Sequence, residues 1–177
     1  MYRLTVAFLL VMAGNLAVPA YSAAPIDPFV GAFAGEANVE TGTGIQTRKV
    51  SVTIEKSGRG FSVDWTTRIP KAGGKRKTNR FKIQFIAVKR GPLYAAGMRR
   101  TMFGKLVPLD PLQGDPYMWA AIRGPTLFVY GMHVTEDGGY EFQVYERTVK
   151  GDDMTVVFKR FRDGRILKDI TAHLIRE

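Results

Sequence analysis

The 177-residue chain contains no cysteine. Disulfide frameworks, thiolate metal centres, cysteine nucleophiles and cysteine-linked lipid anchors are therefore all excluded. Histidine is nearly as scarce. His133 and His173 are the two present, 40 residues apart, without the close spacing of a zinc-binding pair. No Gly-x-Ser-x-Gly nucleophile elbow occurs, and Gly73-Gly74-Lys75 lacks the strand–loop–helix setting of a phosphate loop. Apolar residues nowhere recur at helical spacing over three turns. No apolar run approaches the roughly 20 residues a membrane-spanning helix needs. One further absence is local: between Trp65 and Leu109 there is no Asp or Glu, against 12 Lys and Arg. The whole chain carries a net charge of +10, so this stretch alone exceeds it.

What is present begins with a targeting pattern. Arg3 precedes the mostly apolar run 4–13, and small residues follow around 18–24. That order is the signature of a secretory signal peptide. We expect residues 1–22 to be a signal peptide and 23–177 to form one domain in the periplasm or outside the cell, with no transmembrane segment in the mature chain. About 155 residues suffice for a single core that buries roughly 70% of the unfolded surface without disulfides.

The remaining sequence reads as strands. Val50, Val52 and Ile54 alternate with Lys49, Ser51, Thr53 and Glu55; Phe61, Val63 and Trp65 alternate with Ser62, Asp64 and Thr66. Further strands are expected from Phe81, Leu93, Tyr117, Thr126, Tyr140, Met154 and Ile166. Tight turns are expected at 57–60, 91–92, 124–125, 150–153 and 163–165, and loops at 36–46, 70–79 and 99–116. The Glu136-Asp137-Gly138-Gly139 segment is a hairpin signal. A bulged three-residue loop there aligns Phe128, Tyr130, Met132 and Val134 with Tyr140, Phe142 and Val144 on one face. About ten strands joined by such turns predict an all-β fold, an antiparallel up-and-down β-barrel of 8–10 strands. In that arrangement every long loop falls at one end.

The first strand carries Gly31, Phe33 and Gly35, a glycine–aromatic–glycine pattern ahead of a meander. This resembles the lipocalin-like, calycin-type β-barrels, in which Trp usually stands where Phe33 does. The resemblance implies a late-strand arginine packed over that aromatic, with Arg160 and Arg176 as candidates. It also implies a central cavity, open at one end, that holds a small apolar or amphipathic molecule.

Function is then expected from charge and aromatics rather than from catalytic motifs. Lys71, Lys75, Arg76, Lys77 and Arg80 fall within ten residues, and the meander brings Arg99, Arg100 and Lys105 to the same rim. Such a mouth concentrates anions. Trp65, Trp119, Tyr130 and Tyr145 are large amphipathic side chains suited to lining a cavity. Glu146, on the face of Phe142 and Val144 and opposite Arg147, is the candidate buried polar contact. No catalytic residue, metal or cofactor is expected. Nucleic acid is not the expected partner, because Phe81, Phe85 and Tyr94 alternate as core residues do and the leader directs export. The expectation is a non-catalytic binding protein for a small apolar or amphipathic anion. The alternative is a filled barrel whose rim contacts an anionic cell-envelope component.

Overall fold

Period-two alternation of apolar residues dominates the chain, and strands that bury one face must find a common interior. The computed structural model describes residues 25–89, 92–97, 99–100, 106–107 and 109–177. The expected leader, residues 1–22, lies outside them, as does Lys105.

The described residues form twelve strands: β1 (Gly31–Thr41), β2 (Gly44–Ser57), β3 (Gly60–Pro70), β4 (Arg76–Ala87), β5 (Leu93–Ala96), β6 (Arg99–Arg100), β7 (Leu106–Val107), β8 (Tyr117–Arg123), β9 (Thr126–Val134), β10 (Tyr140–Lys150), β11 (Asp153–Arg162) and β12 (Arg165–Arg176). Ten of them close into an antiparallel up-and-down barrel in which β1 pairs with β12, while β6 and β7 form a separate two-stranded ladder. The all-β barrel expected from the alternation is the architecture found. Closure removes sheet edges that would otherwise be exposed.

The connections sort by end. The two-residue turns at 58–59, 124–125 and 151–152 lie at one end, whereas those at 42–43, 71–75, 135–139 and 163–164 lie at the other. Several boundaries differ from expectation: residues 76–79, expected within a loop, begin β4. Residues 36–41 and 44–46 continue β1 and β2 and are joined by Gly42-Thr43 alone, so no loop spans 36–46. The β9–β10 connection has five residues, closed by Thr135 N donating to Gly139 O at 2.9 Å. Its register nevertheless pairs Tyr140 with Val134, Phe142 with Met132 and Val144 with Tyr130, the column anticipated from the sequence.

The tight end is sealed. A 3-10 helix, Asp27–Phe29, sets Phe29 into the core at 1% exposure. Arg176 holds it there: its guanidinium carbon lies 4.5 Å over the Phe33 ring, Nη1 donates to Val30 O at 2.6 Å and Nη2 to Pro28 O at 3.2 Å. Gly35 lets β1 approach β12, since a Cβ there would overlap the carbonyl oxygen of His173. Above this floor Val52, Ile54, Phe61, Val63, Phe85, Leu127, Val129, Met154 and Leu174 fill the lower barrel.

Among the described residues the wall is incomplete in one place. β5 has four residues and pairs only with Phe85–Ala87 of β4 and Trp119–Ala121 of β8. Among the described residues, the upper part of β4 is laddered on its β3 side alone.

Candidate anion site inside the barrel

Register fixes which side chains enter the barrel. On β10, Arg147 lies opposite Leu127 and Val156, and Tyr145 opposite Val129 and Phe158. Leu127 and Val129 are fully buried core residues. Alternation therefore sends Glu141, Gln143, Tyr145, Arg147 and Val149 inward and Tyr140, Phe142, Val144 and Glu146 outward.

Arg147 is the unusual member. It is 1% exposed, the bulkiest fully buried side chain among the described residues. Its guanidinium carbon sits 5.1 Å from the Tyr145 ring centroid and 5.5 Å from that of Trp65. Those π-faces attract the cation, but Nε and Nη1 have no hydrogen-bond partner among the described residues. Burial pulls the Arg147 pKa down to about 10, and the Tyr145 phenol group opposes this. Arg147 therefore remains charged at neutral pH. Burial raises the Tyr145 pKa, while the charges of Arg147 and Arg160 pull the other way.

Two adjoining chambers open above the apolar floor. The smaller, of about 220 Å³, is lined by Arg147, Arg48, Arg160 and Lys168 together with Trp65, Tyr145 and Phe158, and no carboxylate contributes to its lining. The larger, of about 610 Å³, runs toward the incomplete wall past Ile83, Ala96, Pro116, Met118 and His133. Trp65, Phe81, Gln143 and Tyr145 border both, forming a neck between them. The larger chamber lies in the range of small-molecule sites, roughly 300–1,000 Å³.

The other cations form steps toward the mouth. Arg160 grips Glu141 bidentately, Nε to Oε2 at 2.8 Å and Nη2 to Oε1 at 2.7 Å. His133 Nε2 lies 3.5 Å from the same carboxylate, which is 5% exposed. Lys168 faces Arg160 directly across the β11–β12 ladder, a like-charge pair that repels unless an anion joins it. Arg48 donates from Nε to Gln46 Oε1 at 3.1 Å.

The expected site residues divide. Trp65 lines both chambers. Trp119, Tyr130 and Glu146 do not: they lie on the outer wall, because the column containing Phe142 faces solvent and not the core. There Trp119 stacks on Tyr130 at 5.0 Å, and Phe128 on Tyr130 at 6.0 Å. Lys71, Lys75, Arg76 and Lys77 are exposed at the β3–β4 tip, at the open end as anticipated. Arg80 is instead on the outer wall, where Nη2 meets Asp64 Oδ2 at 2.6 Å and holds the Asp64 pKa down. Arg99 and Arg100 form β6. Arg147, Arg48 and Lys168 were missed. The signal available for Arg147 was its spacing: two residues beyond Tyr145, between apolar partners on both neighbouring strands.

No protein-family model and no curated protein matches the chain.

Proposed function

We propose that the protein is an exported, non-catalytic binding protein that takes an amphipathic anion head-first into its barrel. The acidic group sits on Arg147, and the apolar part runs through the neck into the larger chamber. The buried guanidinium with two free donors carries this reading. An unpaired buried charge is costly, and a carboxylate paired with the guanidinium offsets that cost with charge-assisted hydrogen bonds. Arg48 and Lys168 supply positive charge between the mouth and Arg147, whereas Arg160 is paired with Glu141. Two chambers beneath the mouth favour this over a solid barrel that works through its rim alone. The glycine–Phe33–Arg176 arrangement at the floor supports a calycin-type relationship.

The test is displacement of a fluorescent fatty acid by a medium-chain carboxylate and by the matching alcohol. The protein should prefer the acid by at least about tenfold, as expected for a hydrogen bond to a charged group. Arg147→Met should abolish the preference. Equal affinity for acid and alcohol, or no binding of either, would overturn the proposal.

A further inference from the structure

The open end carries features that a ligand cavity does not require. Three hairpin tips stand side by side there, those of β11–β12, β1–β2 and β3–β4, because β12, β1, β2 and β3 are consecutive in the barrel. Together they expose Ile45 at 73%, Ile166 at 61% and Leu167 at 49%. Interleaved with these are Arg165, Lys168, Lys71, Lys75, Arg76 and Lys77, all exposed. The carboxylates on the same tips are Glu40, Asp163 and Asp169, and Asp163 is occupied in accepting from Tyr140 N at 2.9 Å. The two-residue turns at the sealed end, Gly58-Arg59, Gly124-Pro125 and Gly151-Asp152, carry no large apolar side chain, and the exposed apolar residues at that end, Val88 at 38% and Ile175 at 62%, do not stand on neighbouring tips.

We infer that this arc of the rim docks onto an anionic lipid bilayer, with the barrel mouth turned toward the membrane. Apolar side chains on separate tips can each enter the acyl boundary, while the cations between them meet lipid phosphates. This is the combination of apolar insertion and anionic attraction that gives interfacial binding. A protein partner would instead be expected to meet a contiguous apolar centre with charge pushed to its edge. Here charge and apolar groups alternate along the arc. The arc also borders the mouth, since Lys168 lines the smaller chamber. An amphipathic anion can then pass between bilayer and barrel without crossing water.

Flotation with vesicles tests this on the purified protein. Vesicles of phosphatidylcholine with about one-third phosphatidylglycerol should carry the protein, and pure phosphatidylcholine vesicles should carry far less. Two exposed-site variants separate the contributions. Lys71→Gln combined with Lys75→Gln, Arg76→Gln and Lys77→Gln should weaken binding by about 100-fold or more, at roughly fivefold per cation. Ile45→Ser combined with Ile166→Ser and Leu167→Ser should weaken it about tenfold or more, even at low salt. Both should melt as the parent does. Arg147→Met should float normally, so loss of cavity binding and loss of docking are read separately. Failure to float, or an apolar triple variant that floats like the parent, would overturn the inference. The first outcome would leave a protein partner as the reading of the rim, and the second a charge effect alone.

Discussion

Strands β2 and β10 obey opposite rules. On β2 the inward residues are Val50, Val52 and Ile54 and the outward ones Lys49, Ser51, Thr53 and Glu55. On β10 the inward residues are Glu141, Gln143, Tyr145 and Arg147, while Phe142 and Val144 face out beside Tyr130. β2 shows the pattern that burial of apolar area imposes on a half-solvated sheet. β10 keeps the period and reverses the polarity. The difference locates function: the strand that buries Arg147 also contributes Gln143 and Tyr145 to both chambers. The aromatics it displaces outward cover one another, Trp119 on Tyr130 and Phe142 within 6.4 Å of Phe161.

The strongest way to break the comparison is to make β2 imitate β10. Ile54→Arg would place a charge in a fully apolar floor that lacks the Trp65 and Tyr145 rings. It should cost about 4 kcal/mol or more and leave little folded protein, as read by chemical denaturation. The converse change restores the ordinary rule to β10. Bringing a guanidinium pKa down to about 10 corresponds to about 3 kcal/mol of burial cost. Arg147→Met should therefore raise stability by about 1–4 kcal/mol. A denaturation midpoint below that of the parent would show that Arg147 holds the barrel together.

The fold was legible because alternation and turn chemistry are local. Glycine-bearing turns at 58–59, 124–125 and 151–152 delimit strands directly, and the β9–β10 column follows from the positions of Phe128, Tyr130, Phe142 and Val144. The site was less legible for one physical reason. Hydropathy gives the period of a strand and which residues share a face, but it assigns the apolar face inward by default. On β10 that default fails, so Trp119, Tyr130 and Glu146 were expected inside and Arg147 outside. Trp65 was placed correctly because β3 follows the ordinary rule. Arg80 was grouped with the rim by sequence proximity, although its parity on β4 puts it outside, against Asp64.

Smaller effects sharpen the same contrast. Trp119→Ala should lower stability by about 1–2 kcal/mol through loss of outer-wall stacking. Carboxylate affinity should not change, because the ring touches neither chamber; a large loss of affinity would return that residue to the site. The pH dependence has a defined sign. Arg147 is charged below a pKa of about 10, so carboxylate affinity should be flat from about pH 7 to 9 and fall as the pH passes 10. Stability moves the other way in that range. The unfolded arginine holds its proton to higher pH than the folded one, so the burial cost is fully present below pH 10 and is relieved above it. Titrating binding and melting on the same samples would separate the two trends.

The most direct measurement is calorimetric titration of the parent and Arg147→Met with a medium-chain alkyl carboxylate, each variant's thermal midpoint being recorded alongside. The account predicts that Arg147→Met binds at least about tenfold more weakly while melting higher. An undiminished affinity in Arg147→Met would contradict it, whatever the change in stability.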